Sequence, residues 1–514
     1  MTNTDTDDGR TLETLLRHGL TTPDATAIIC GSQTLSWGQL RWQVLETAGA
    51  IAATGGGPDR RVALLGSADA GLVAAYLAVV AAGACAVPLP VSAHPDALTT
   101  MLQDCEPDLI FVQDGYQSLL TDGHPGEVVV IGPNGIPTAF TNRGKPLQDA
   151  VVPTGDAPFN IIYSSGTTGK AKGIVHSHTM RWRQAARALF GMDAGSTLLL
   201  ATPLYSNTTL MPMLAALFHG SRVILMPKFD AEGYLDLAER EGVTHTMLVP
   251  VQYRRILAVP GFASRDLSSF KLKQSTGAPL PAADKREILD KWPGRFLEVY
   301  GLTEGGCTCI LDLSAFPEKA HTVGRPAAGN EIRVIDEEGR DQPPGQRGEI
   351  IGRAVTMMSG YFRNEEANRA IYWTDADGTV YHRTGDIGMF DDDGFLVLLD
   401  RKKDMIISGG FNIYASDLEE KLLGHPDIAE AAVIGIPSAA WGETPLGLVV
   451  GRKGARLDPQ QVLKWTNSQV GRMQRLSAIE IREDLPRNNA GKLLKQDLRK
   501  PYWTADSRAD APPA

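Results

Sequence analysis

At 514 residues the chain is too long for one hydrophobic core, so two or more domains are expected. Its 43% hydrophobic and 21% charged residues are ordinary for a globular protein. The net charge of −10 argues against a nucleic-acid partner or an anionic-membrane surface, and an anionic substrate would need local lysines and arginines to overcome the global field.

The opening residues 1–10 are polar and acidic and lack the apolar stretch of a signal peptide, which predicts a cytoplasmic address. Residues 71–90 carry almost no polar group and are long enough to span a bilayer. Gly83 in their interior, Pro88 and Pro90 at their end and the lack of a basic flank predict instead an Ala-rich buried helix and a short buried strand, with no integral membrane segment. Short β-branched runs at 61–65, 109–112, 127–131, 197–201, 222–226 and 246–249 alternate with helical patterns such as 233–241 and 282–291. That alternation is the mark of layered α/β architecture with largely parallel sheets. The five cysteines, at 30, 85, 105, 307 and 309, are too few and scattered for a disulfide scaffold. Cys307 and Cys309 lack a second pair at zinc spacing and are expected on one face of a strand.

After about residue 325 the texture changes. Runs at 332–335, 348–352, 380–382 and 395–399, joined by Asp/Gly turns such as 391–394, predict a small antiparallel, β-barrel-like subdomain. From Lys402 onward a helix at 415–423, a strand at 431–436 and a helix at 458–470 predict a small α+β domain. The expected fold is therefore α/β, with a large N-terminal domain over 1–401 and a smaller C-terminal domain over 402–514. The Ala/Pro-rich tail 508–514 reads as disordered.

Five constellations carry chemistry. Tyr163-Ser-Ser-Gly-Thr-Thr-Gly-Lys-Ala-Lys-Gly173 follows the apolar run 159–162. Gly166, Gly169 and Gly173 permit turns on which amide groups converge on an anion, while Ser164, Ser165, Thr167, Thr168, Lys170 and Lys172 add donors and charge. It is either a phosphate cradle or only a turn; it is not a Walker A loop, because alanine follows the first lysine. Tyr300-Gly-Leu-Thr-Glu-Gly-Gly306 places Glu304 in a Gly-rich turn at a strand end, where it can hold Mg²⁺ or simply be solvated. Thr384-Gly-Asp386 sets a short acid between a strand and Ile387, suited to ribose hydroxyls or to a plain turn. Arg401 ends the strand before a presumed hinge, where a surface ion pair is the alternative. Pro486-Arg-Asn-Asn-Ala-Gly-Lys492 sets a lysine beyond a flexible turn, a partner for charge building between a carboxylate and an α-phosphate, or a solvated side chain.

The joint occurrence and order of YSSGTTGKAKG, YGLTEGG, RTGD, DRKKDMIISGGFNIY and PRNNAGK closely resemble the adenylate-forming superfamily of acyl- and aryl-CoA synthetases, adenylation domains and firefly-type luciferases, with the pattern of bacterial acyl-CoA synthetases. The resemblance runs from roughly residue 10 to 500. It implies an AMP-forming ligase that uses ATP, Mg²⁺ and CoA on an aryl or fatty acid. The 164–172 loop would hold the β- and γ-phosphates, Gly277, Ala278, Pro279 and Tyr300 would flank adenine, Thr303 would approach the α-phosphate and Glu304 the metal. Asp386 and Arg401 would bind ribose, and Lys492 would bridge the carboxylate and α-phosphate. The small domain would swing about Lys403, bringing Ser408-Gly409-Gly410-Phe411 toward the incoming thiol and removing Lys492.

This chain departs from the family in having Ala171 and Ala415 where proline is usual, which loosens the backbone there. Where many synthetases place a histidine or bulky aromatic, it has Ser206, followed by Asn207, Thr208 and Thr209. With Tyr205, Gln252, Tyr253 and Gly305 these would line a pocket for a polar or aromatic acid or a small anion; alternatively Asn207 caps the following helix. Relatives that adenylate nitrite for attack by an aryl amine (diazotases), and others that load a carrier-protein thiol, make those acceptors alternatives to CoA.

Overall fold

The computed structural model describes residues 10–121, 123–133, 135–164, 171–187, 190–409, 411–487 and 493–503. By packing, the described chain forms two compact units, one of residues 1–331 and 353–382, the other of 332–352 and 383–514. The second unit thus takes in the antiparallel strands before residue 401 as well as the chain after it. The expected boundary at 401/402 therefore falls inside the second unit.

The first unit is built on two sheets. One has nine strands, and Arg295–Tyr300, Leu272–Ser275, His245–Leu248, Thr197–Leu200, Arg222–Leu225 and Thr26–Cys30 run parallel through its centre. The other has seven, with Cys85–Leu89, Arg61–Leu65, Leu109–Gln113 and Glu127–Ile131 parallel and Pro158–Ser164 beside them. Parallel strands covered on both faces read as continuous apolar runs, which is why these segments were legible.

Residues 71–90 resolve into the helix Ala70–Ala81 and the strand Cys85–Leu89, all of whose apolar side chains are buried. The helix touches strands of both sheets, so it is apolar on every side without meeting lipid. No described helix is long and apolar enough to cross a membrane. All five cysteines are buried and none is in a disulfide. Cys309 opens the strand Cys309–Asp312 and Cys307 precedes it, so the two do not share a strand as expected.

The second unit contains an antiparallel sheet in the order 332–335, 348–352, 383–390, 396–401. A second sheet, centred on Gly442–Gly451 and Ile428–Ser438, packs Val433 and Val449 against Leu418 and Leu422 of the helix Ala415–Leu423. The RTGD segment differs from expectation. Thr384, Gly385 and Asp386 lie inside one unbroken strand, Val380–Phe390, which absorbs Gly385 at φ +69° and a bulge between Ile387 and Gly388.

Candidate active site

Four neighbouring parallel strands of the nine-stranded sheet end at one edge, and the predicted segments follow their carboxyl ends. Thr197–Leu200 leads to Tyr205–Asn207, His245–Leu248 to Gln252 and Tyr253, Leu272–Ser275 to Gly277–Pro279, and Arg295–Tyr300 to Thr303–Gly305. Ligands of open α/β sheets bind at such edges. Gly277, at φ +87°, lies so that a Cβ would sit 3.5 Å from Val249 and 3.9 Å from the Thr208 hydroxyl. The segments implied for adenine and for the acid are therefore neighbours.

The phosphate-loop segment joins Pro158–Ser164 to Lys172–Ser177, which pair antiparallel with Ser164 opposite Lys172. Ser165, Gly166, Thr167, Thr168, Gly169 and Lys170 lie outside the described residues, as does Lys492. The strand Gly360–Tyr361 pairs with the far arm of this hairpin and places Tyr361 between two predicted groups. The Lys172 ammonium lies 5.0 Å from the centre of the Tyr361 ring. The Tyr361 hydroxyl donates to Glu304 Oε1 at 2.9 Å. Burial and the Glu304 charge push the Tyr361 phenol well above its ordinary range, so it stays a donor. The turn is held from its backbone as well: Met358 N–H donates to the Glu304 carbonyl at 2.8 Å.

Gly305 adopts φ +72°, and a Cβ there would sit 2.0 Å from the Thr356 carbonyl oxygen. Its role is to let two backbones approach. Gln252 and Tyr253 are likewise scaffold. Gln252 is buried, accepts from Val249 N–H at 3.1 Å and donates to the Ala201 carbonyl at 2.7 Å, tying two strand ends together. Tyr253 is fully buried, donates to the Gln274 carbonyl at 2.8 Å and packs edge-on against Trp292 and Phe296. Ser206, not Asn207, caps the helix Asn207–Phe218, its hydroxyl accepting from Thr208 N–H at 3.2 Å. Asn207 is thereby left to accept from Arg181 Nη1 at 2.8 Å. Tyr205 pairs its hydroxyl with Ser92 at 3.1 Å.

In the second unit Asp386 and Arg401 face each other across paired strands, Arg401 Nε standing 2.9 Å from Asp386 Oδ1. Asp386 is buried and Arg401 partly exposed, so the acid is fixed by its neighbour with an edge left open. Burial lowers the pKa of Lys403, in a short turn of 3₁₀ helix directly after that strand. Lys402 and Arg383 both pair with Glu349, which locks the flank of that turn.

The profile of the AMP-binding enzyme family matches residues 15–362, and that of the AMP-binding enzyme C-terminal domain matches 417–492. The chain belongs to the AMP-binding enzymes. The chain is 32% identical over 491 residues to the feruloyl-CoA synthase of an Amycolatopsis species, covering 95% of this chain and 98% of that one. It is also 32% identical to the indoleacetate–CoA ligase of Aromatoleum aromaticum, over 94% of this chain and 96% of its relative. ATP-bound MatB from Rhodopseudomonas palustris superposes with a TM-score of 0.86 at 29% identity, covering 96% and 98% of the two chains. This AMP-binding enzyme is thus an AMP-forming acid–thiol ligase by family, with the α/β fold of the adenylate-forming enzymes.

Three of its site groups had no local sequence signal. Tyr361, His176 and Arg181 join the site through strand pairing and burial, not through any motif. His176 Nε2 reaches the Thr303 carbonyl oxygen at 2.7 Å. For Tyr361, only its position in an edge strand opposite Ile174 explains the contact.

Proposed function

We propose that this AMP-binding enzyme adenylates an aryl or fatty carboxylic acid and transfers the acyl group to CoA, in a cytoplasmic setting. A carboxylate is a poor electrophile because it would have to expel oxide. Attack of its oxygen on the ATP α-phosphorus forms a C–O–P anhydride and breaks the bond to pyrophosphate. The thiol then attacks the carbonyl carbon, a C–S bond forms, AMP leaves and the thiol proton is released to solvent or base.

In this reading Ser164, Lys172 and residues 165–170 hold the β- and γ-phosphates, and Gly277, Ala278, Pro279 and Tyr300 flank adenine. Thr303 orients the α-phosphate, Asp386 and Arg401 take the ribose hydroxyls, and Lys492 offsets charge at the carboxylate and α-phosphate. Glu304 is a hard carboxylate kept in place by Tyr361, which suits Mg²⁺, an ion content with one carboxylate plus phosphate oxygens and water. No cluster of three or more metal-ligating side chains occurs among the described residues. When bound there, Mg²⁺ would supply charge against the departing pyrophosphate. The observation that carries the reading is the Lys172–Tyr361–Glu304 alignment beside the Thr303 turn, at the carboxyl edge of the parallel strands.

A second reading keeps the adenylation and changes both the anion and the nucleophile. Nitrite is a bent O–N–O anion that can take the place of a carboxylate, and attack by an aryl amine on the nitrite adenylate would lead to a diazo product. The small polar group at Asn207, backed by the Arg181 guanidinium, favours a small anion. The test is ATP-dependent pyrophosphate release across fatty, cinnamic and benzoic acids with CoA, in parallel with nitrite plus aminobenzoic or aminocinnamic acids. Thioester formation establishes the first reading, and a diazo product without thioester replaces it with the second.

A further inference from the structure

The helix His178–Ala186 carries two arginines, of which Arg181 is fully buried. A buried guanidinium is costly, and proteins normally compensate it with a carboxylate. Arg181 has none among the described residues. Its Nε donates to Asn160 Oδ1 at 2.8 Å, its Nη1 to Gln184 Oε1 at 2.9 Å and Asn207 Oδ1 at 2.8 Å, and its Nη2 to His176 Nδ1 at 2.9 Å. Every partner is neutral. Because His176 accepts at Nδ1, its Nε2 carries the hydrogen given to the Thr303 carbonyl. One guanidinium therefore fixes Asn207 on one side and, through His176, the Thr303 turn on the other.

Such a charge is cheaper to replace with apolar packing than to keep, unless its field is used. An arginine held by neutral acceptors projects its charge undiminished to whatever stands next to those acceptors. The partners divide by position. Asn160 and His176 lie deep and fully buried, whereas Asn207 is only half-buried at the carboxyl edge of the sheet. Gln184 is half-buried too, and of these two Asn207 is the one that follows the carboxyl end of the strand Thr197–Leu200.

We propose that Arg181 is a specificity-determining and positioning residue: its uncompensated charge, delivered through Asn207, makes the acid pocket select a compact O–X–O anion, and its bond to His176 couples that pocket to the Thr303 turn. This deepens the functional reading above and rests on Asn207 lining the acid pocket. The shared chemistry is that of a carboxylate or of nitrite, and the two are separate arms of the test.

The decisive variant is Asn207→Asp, which is nearly isosteric and places a carboxylate against Arg181, cancelling its field without emptying the site. Asn207→Ala removes the side chain but leaves the charge. Both are compared with wild type in ATP–pyrophosphate exchange, with cinnamate and with nitrite as probes. Asn207→Asp is expected to raise the KM for the anion at least ~10-fold while the KM for ATP moves less than about 2-fold, and Asn207→Ala to raise the anion KM by less than Asn207→Asp. Arg181→Lys, which keeps charge but loses the fork, should fall between wild type and Asn207→Asp. Equal effects of Asn207→Asp and Asn207→Ala, or an unchanged anion KM, overturn the proposal. If neither probe supports exchange in the wild type, the functional reading fails for those substrates. The Arg181 proposal is then judged by melting temperature with each probe and a non-hydrolysable ATP analogue. Stabilisation of wild type but not of Asn207→Asp supports it, and no stabilisation of wild type overturns it.

Discussion

His176 shows how a single residue carries consequences beyond its contacts. It is fully buried, and burial together with the Arg181 charge holds its pKa well below the usual histidine range. The native protein therefore keeps it neutral while the unfolded chain takes up a proton below about pH 6.5. The unfolded state binds more protons there, so stability falls as pH drops through that value, by up to about 1.4 kcal/mol per pH unit for one such group. Burial lowers His219 and His245 in the same direction, and they add to the slope. His176→Asn is expected to lose melting temperature less steeply than wild type between pH 7 and 5. A steeper slope in the variant would mean that His176 does not stay neutral in the native state.

Elements depend on local chemistry that the chain carries openly and on close approaches that it does not. The helix Trp37–Ala53 starts with a capping box: Ser36 accepts from Gln39 N–H at 3.2 Å, and the Gln39 side chain accepts from Ser36 N–H at 2.9 Å. Ser36→Ala should cost about 1 kcal/mol in urea unfolding with no change in turnover, since it strips one cap from a helix remote from the chemistry. Gly305 is the opposite case. Gly305→Ala would set a Cβ against the Thr356 carbonyl in a left-handed conformation, for ~1–3 kcal/mol of strain, and would move the Glu304 turn. Pyrophosphate release is expected to fall at least ~10-fold, because misplacing a positioned group is costly to rate. Activity within twofold of wild type would show that the turn tolerates the shift.

At the scale of the molecule, we propose that the two half-reactions are served by different faces of the C-terminal domain, with Lys403 as the hinge; that hinge lies inside the second packing unit, not at its border. Lys492→Ala should slow adenylation at least ~10²-fold, the loss expected on removing one group that stabilises developing charge. Thioester formation from supplied acyl-adenylate should stay near the wild-type rate. Equal loss in both steps would contradict alternation between faces. Single-turnover kinetics of each half-reaction make the comparison.

The sequence by itself determined the α/β class, the places of most strands and helices, and the family. Apolar runs such as Arg61–Leu65 and Leu109–Gln113 are self-announcing when both sheet faces are covered, and the five motifs keep their order along the chain. The helix Ala70–Ala81 was legible through its glycine and proline punctuation. The placement of site groups was legible only in part. Glu304, Asp386 and Arg401 stand in motifs, and Asp386 and Arg401 take each other as partners. Tyr361, His176 and Arg181 were not legible, nor was the conversion of Gln252, Tyr253 and Gly305 from pocket candidates to scaffold. Each of those depends on which residue a distant strand sets opposite, and on whether burial leaves a polar atom its partner. Composition and spacing encode local propensity, but pairing register and desolvation arise only when the chain has closed on itself.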